Sequence, residues 1–356
     1  MTERAAIILA GGKARRFQSE QQTWQDKALI ELSGKPLLVH AVENVQNLVE
    51  EIVIIVNEER RKAEYSEVLR KHHKENVRLL IDEKCDQLGG PLVAILTGLK
   101  SVKADYCLTL PCDMPLVQPA VIEYMLDAAS GSRVVVPMWP NGRLETLLMA
   151  LERNSALEVA GTLCDLQLPR SDDIVRGALD VLFISTAAEI KNLDPDLRSF
   201  VNINSREDLF RLRPRHVEGP ITENMQLNLG ALPTVELKRL RDASVLARTG
   251  DFSKASRIFA SCARKLENEK LSFWTAISRE NQCKTLLKGA KQQMTTEQEK
   301  GQIPQARKAL LKAAGSYGSE AEMYETKGYV FLAERAKSDK MWCESLADEL
   351  LRKVGR

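Results

Sequence analysis

At 356 residues the chain exceeds one average domain, and its 44% hydrophobic content supplies enough apolar side chains for two packed cores. Its 51 basic and 49 acidic residues nearly cancel to +2, so bulk electrostatics favours neither a nucleic acid nor a membrane as partner. No stretch approaches the ~20 uninterrupted apolar residues of a membrane span. The seven cysteines contain no Cys-x-x-Cys pair, and the first residues lead directly into a strand-length apolar run. Together these features predict reduced thiols in a cytoplasmic protein without a secretory leader.

In chain order, short β-branched runs at 6–9, 52–56, 77–81, 106–110, 134–137 and 182–185 alternate with amphipathic segments at 36–49, 61–73, 91–101, 119–129 and 206–212. Such alternation, punctuated by Gly and Pro, predicts βαβ units. The expected domain, 1–215, is α/β and Rossmann-like, with a mainly parallel sheet in three αβα layers. Arg213-Pro214-Arg215-His216-Val217-Glu218-Gly219-Pro220 breaks the pattern and opens a linker expected over 216–233. From Thr234 onward Ala, Leu, Lys, Glu and Arg recur with helical periodicity, predicting an all-α helical-hairpin domain over 234–356. Within it Gly250-x-Phe252-x-x-Ala255-x-x-x-Phe259 is echoed by Gly301-x-Ile303-x-x-Ala306-x-x-x-Leu310. The pattern resembles the second helix of tetratricopeptide repeats, and a plain helical bundle with Ala-rich packing faces explains it as well. Gly315, Gly318 and Gly328 read as helix breaks, and 334–351 reads as a final long helix.

Parallel sheets bind ligands beyond the carboxyl ends of their strands. Leu9, Ala10, Gly11 and Gly12 close the first strand, Asn57 the second, Asp82 the third, and Pro111-Cys112-Asp113 the fourth. Four polar landmarks at strand exits predict one cleft. Gly11 and Gly12 let backbone N–H groups approach a phosphate, and Lys13, Arg15, Arg16 and Lys27 supply positive charge for it. An ordinary strand-to-helix turn with solvated cations is the competing reading. Asp113, at the end of an apolar strand, needs a cation or donors if it is buried. It suits a magnesium ion, and capping of the helix near Pro119 is its alternative role. Asn57 and Asp82 offer amide and carboxylate groups to a nucleoside, or serve as turn residues bonded to their own backbone. Gly90-Pro91 reads as a helix entry open to close approach by a base.

The string at 9–16, Leu-Ala-Gly-Gly-Lys-Ala-Arg-Arg, with Asp26-Lys27-Ala28-Leu29 resembles the signature of sugar-nucleotide-pyrophosphorylase-like nucleotidyltransferases. Among these it is most similar to the molybdenum cofactor guanylyltransferases. Further segments match in the same order: Leu32-Ser33-Gly34-Lys35-Pro36-Leu37, 53–57, Gly90-Pro91-Leu92, Pro111-Cys112-Asp113-Met114-Pro115, and Phe200-Val201-Asn202-Ile203-Asn204-Ser205 leading into Glu207-Asp208-Leu209. The resemblance covers residues 5 to 212 and leaves the helical part untouched.

That resemblance implies transfer of GMP from GTP to the phosphate of molybdopterin, with Mg²⁺ as cofactor and pyrophosphate released. It implies Lys27, Arg16 and Asp113 as catalytic residues and Asp113 with Asn204 at the metal. Leu9, Ala10, Gly11, Gly12, Lys13, Arg15, Lys27, Asn57, Asp82, Gly90 and Pro91 would hold the nucleotide. Arg143, Glu145 and Arg176 lie in later segments available to the acceptor. Asn202 accompanies Asn204 in the segment that completes the site. Between Arg16 and Lys27 the loop is longer than the family's and lacks its glycine, with Phe17 or Trp24 available as a lid. Alternatives are a relative that uses CTP or another phosphorylated acceptor, and a catalytically impaired nucleotide sensor. The helical domain is expected to meet a protein partner, such as the apoprotein that receives the cofactor.

Overall fold

The structure is a computed structural model that describes residues 3–12, 26–83, 88–214, 217–293 and 296–354. The chain divides into two compact units, Met1–Cys164 with Pro169–Gly230, and Asp165–Leu168 with Ala231–Arg356.

The first unit is built on β1 (Arg4–Leu9), the short pair β2 (Glu31–Leu32) and β3 (Lys35–Pro36), β4 (Glu51–Val56), β5 (Arg78–Ile81), β6 (Tyr106–Pro111), β7 (Val134–Met138), β8 (Met149–Glu152), β9 (Asp180–Ser185) and β10 (Met225–Asn228). Eight of these form one sheet in the order β10-β9-β7-β8-β6-β1-β4-β5. β1 pairs in parallel with β4 and β6, β4 with β5, and β7 with β9. β8 runs antiparallel to both β6 and β7, so β7 and β9 point the same way as β6. All six strands expected from sequence therefore end at one edge of the sheet. β8 and β10 were not expected. The run Leu147-Leu148-Met149-Ala150-Leu151 is apolar without alternation, which leaves strand and helix indistinguishable. β10 buries only Leu227 and carries no periodicity to read. It falls in the stretch expected as linker, yet it pairs antiparallel with β9 and extends the first unit to Gly230.

Helices α1 (Leu37–Val45), α2 (Glu59–Lys71), α3 (Pro91–Ser101), α4 (Pro119–Ala128), α5 (Arg153–Asp165), α6 (Asp172–Gly177), α7 (Glu189–Leu193) and α8 (Asp208–Arg211) complete the unit. Central strands are buried on both faces, as parallel sheets covered by helices require: Ile7, Ile8, Ile54 and Ile55 are each 0% exposed. Ile8, Ile54 and Leu110 share a core with Leu38 and Val42 of α1, Tyr65 of α2 and Met125 of α4. On α3, Gly98 leaves room for Ile7, whose Cγ2 would lie 2.3 Å from an added Cβ.

The second unit contains α9 (Thr234–Arg248), α10 (Phe252–Asn268), α11 (Ser272–Gln293), α12 (Thr296–Thr326) and α13 (Val330–Val354), each packed on the next. Asp251 caps α10 by accepting from Lys254 N at 3.1 Å. Two sequence expectations need correction. Gly315 and Gly318 do not break a helix, because α12 runs through them; a Cβ added at Gly318 would stand 3.6 Å from Lys340 Cδ. Gly301 also lies inside α12, whereas Gly250 stands in the turn before α10, so the two echoed motifs occupy different structural settings. Gly328, at φ +82°, does separate α12 from α13, and it takes the left-handed conformation that glycine adopts without cost. Among the described residues no helix is long and apolar enough to cross a membrane.

Candidate active site

The exits of β6, β1, β4 and the edge strand β5 are stitched together by backbone. Ala10 N donates to Ile55 O at 2.9 Å, Cys112 N to Leu9 O at 3.1 Å, and Asp82 N to Val56 O at 2.8 Å. Beyond them opens a cleft of about 850 Å³. Its walls bring together Leu9, Ala10, Gly11, Gly12, Lys27, Asn57, Asp82, Gly90, Pro91, Asp113 and Asn204. Gly90 adopts φ +113° immediately before Pro91 opens α3, a conformation that a side chain would strain. Lys13, Arg15 and Arg16 lie outside the described residues, as do Phe17 and Trp24.

Lys27 opens a short 3-10 helix, Lys27–Leu29, whose N-cap is Asp26. Asp26 Oδ1 accepts from Ala28 N at 3.1 Å and from the Tyr65 hydroxyl at 2.8 Å. The turn directs the Lys27 ammonium into the cleft, where it donates to Asp113 Oδ2 at 2.5 Å and to Asn204 Oδ1 at 2.8 Å. Asn204 comes from far along the chain. Ile203 N donates to Asp113 O at 2.9 Å, and Asp208 Oδ2 accepts from the backbone N of both Asn204 and Ser205 at 2.8 Å. The other carboxylate oxygen, Asp113 Oδ1, is buried and has no hydrogen-bond partner among the described residues.

Two residues that sequence reasoning did not single out hold this arrangement from behind. Arg61, 2% exposed in the first turn of α2, places Nε 2.9 Å from Asp26 Oδ2. Its Nη1 donates to Gly12 O and to Asn57 Oδ1, each at 3.1 Å. Tyr65, four residues later on the same helix face, reaches Asp26 and, at 3.4 Å, Ala10 O. Burial, and then Cys112 and Asp26 nearby, push the Tyr65 hydroxyl far above its ordinary range. Cys112 is pushed up to about 12 by burial first and by Asp113 second, so its thiol stays neutral beside the cleft.

Residues 6–174 match the family model described as the MobA-like NTP transferase domain. A probable molybdenum cofactor guanylyltransferase of Methanosarcina acetivorans is 32% identical over 209 residues, which span 58% of this chain and 88% of the relative. The chain belongs to the MobA-like NTP transferase family. A Pyrococcus horikoshii relative with the same description is 32% identical across 57% of this chain and 96% of its own length. The solved molybdopterin-guanine dinucleotide biosynthesis protein A from Archaeoglobus fulgidus is 22% identical with a TM-score of 0.48, covering 59% of this chain and 96% of that one.

This family member is a nucleotidyltransferase, and several residues considered from sequence lie away from its cleft lining. Asn202 turns its amide to Phe200 O at 3.4 Å. Arg143 pairs with Glu145 at 3.3 Å, and Glu145 also accepts from Trp139 Nε1 at 2.7 Å. Arg176 is buried against Asp173 at 3.1 Å. No sequence signal marked Arg61: in Glu59-Arg60-Arg61-Lys62 adjacent cations look alike, and only the fold decides which one turns inward.

Proposed function

We propose that this nucleotidyltransferase transfers GMP from GTP to the phosphate of molybdopterin in the cytoplasm. One phosphate oxygen of the acceptor attacks the α-phosphorus, a new P–O bond forms, the α–β bridge breaks and pyrophosphate leaves. The names of the curated relatives support this reading. The observation that carries it is the Lys27–Asp113–Asn204 cluster beside a glycine-lined strand exit.

The residues present fit a magnesium ion. Asp113 Oδ1 is buried and unsatisfied, Asn204 adds an amide oxygen, and an all-oxygen set suits a hard cation that keeps water and phosphate ligands. Magnesium, when bound, supplies Lewis-acid polarisation of phosphate oxygens. Lys27 places a mobile positive charge where phosphate charge develops. Gly11 and Gly12 leave the backbone open to a phosphate. A phosphate acceptor is already ionised at neutral pH, so no general base is required of the chain.

Incubating the purified protein with molybdopterin, Mg²⁺ and GTP, CTP or ATP in turn, followed by mass analysis of the product, tests the proposal. The guanine dinucleotide of molybdopterin is the expected product; exclusive use of CTP would sink the assignment.

A further inference from the structure

We propose that Arg61 is a positioning residue that locks the Asn57 side chain with its amide N–H₂ turned into the cleft, so that the site selects a nucleobase by a hydrogen-bond acceptor. The inference rests on the nucleotide cleft proposed above.

A guanidinium carries five N–H donors and no acceptor. The Asn57 atom that Arg61 Nη1 meets at 3.1 Å is therefore the amide oxygen. Reversing the amide would set donor against donor and forfeit a charge-assisted hydrogen bond. The two remaining N–H donors sit at the other end of the planar amide. Asn57 lines the cleft, and its Nδ2 has no hydrogen-bond partner among the described residues. Asn57 lies over Gly11, where an added Cβ would stand 3.5 Å from Asn57 Cβ and 3.8 Å from Cγ.

Asp26 explains why a guanidinium can occupy this place. Both side chains are 3% exposed, and a buried cation persists where a carboxylate accompanies it. The same guanidinium bonds Gly12 O, so one group sets the base-reading amide in register with the glycine exit. A base with a carbonyl at the facing edge meets Asn57 with a hydrogen bond. A base with an exocyclic amine there presents donor to donor and leaves buried polar groups unpaired.

ITP and ATP test this directly, because they exchange a carbonyl acceptor for an amine donor at position six while sharing the triphosphate. Equilibrium binding of both to the full chain should show ITP tighter than ATP by about tenfold or more. Asn57→Asp, which offers acceptors only, should shift the ratio toward ATP. Asp26→Asn combined with Arg61→Met removes both buried charges together and should bring the ratio near unity, with Arg61→Lys as a second variant if that pair fails to fold. In an Asn57→Ala background the same pair should leave the ratio unchanged, which marks Arg61 as acting through Asn57. Equal weakening of both nucleotides, with the ratio preserved, would assign Arg61 a merely structural role and overturn the proposal. Wild-type protein that binds ATP as tightly as ITP overturns it alone; wild-type protein that binds neither overturns the nucleotide cleft and this proposal together.

Discussion

In the sheet unit Asp26, which lines the cleft, is paired with the buried Arg61, and in the same cleft Asp113 Oδ1 is left without a partner among the described residues. In the helical unit Glu280 of α11, 6% exposed, is enclosed from three helices: Tyr317 donates to Oε1 at 2.5 Å, Lys284 lies 3.4 Å from Oε2, and Cys343 Sγ approaches Oε1 at 3.9 Å. The second cluster closes on itself and ties α11, α12 and α13 in register. The first is left open on the side where a ligand would enter. Burial of charge alone therefore does not mark a site; burial beside a cavity with an unsatisfied oxygen does.

Asp113→Ala is the strongest test of that distinction. It should lower pyrophosphate release by about a hundred- to a thousandfold, while the urea midpoint reads the balance between deleting the unsatisfied Oδ1 and removing the Oδ2 partner of Lys27. A loss below tenfold would place Asp113 among structural carboxylates and break the comparison. Tyr317→Phe is its counterpart. Losing a hydrogen bond to a buried carboxylate should cost about 1.5–3 kcal/mol in urea unfolding, with nucleotide turnover unchanged under native conditions. Turnover that falls with the helical cluster would erase the contrast between the units.

The parts of this molecule legible from sequence are those whose signal is local. The six parallel strands are short apolar runs bounded by turn residues, and in the central ones burial on both faces keeps the run continuous, as in Val53-Ile54-Ile55. Because all six end at one edge, the strand-exit rule placed Gly11, Asn57, Asp82 and Asp113 at a common cleft. Asn204 was visible only through a family resemblance, since its place depends on Ile203 reaching the Asp113 backbone from far along the chain. Arg61 was invisible for a related reason: its partners Asp26, Asn57 and Gly12 come from three separate segments. Gly315 and Gly318 were misread because a long helix packed against its neighbours tolerates glycine that an isolated helix would not.

Gly98→Ala probes how the sheet delivers the site. An added Cβ would meet Ile7 Cγ2 at 2.3 Å and Cδ1 at 3.0 Å in the middle of β1, the strand that presents Gly11. Overpacking of this kind should cost about 1–3 kcal/mol, read as a lower thermal midpoint of the sheet unit. An unchanged midpoint would mean that α3 shifts freely on β1, and that the cleft is less rigidly founded than Asn57 selection requires.

Alkaline pH should act on both units alike, which separates burial from function. Burial is the largest cause in each case: it pushes Cys107 and Cys112 of the sheet unit and Cys283 of the helical unit from 9.0 up to about 12, and Cys262 to about 11. The charge that adds to it differs, coming from Asp113 at Cys112 and from Glu280 at Cys283. A thiol whose folded value is raised contributes stability that is fully present below its unfolded value and is lost as pH rises through the folded one. The window therefore opens near pH 9 and closes near 12. At pH 10 each such thiol should subtract about 1.4 kcal/mol from the unfolding free energy, measured as a falling urea midpoint between pH 8 and pH 10. Replacing Cys283 by Ala should remove its share in the helical unit and leave the alkaline slope of the sheet unit intact. If the slope of both units flattened together, the thiols would not be titrating where they are buried, and the equivalence drawn between the two cores would fail.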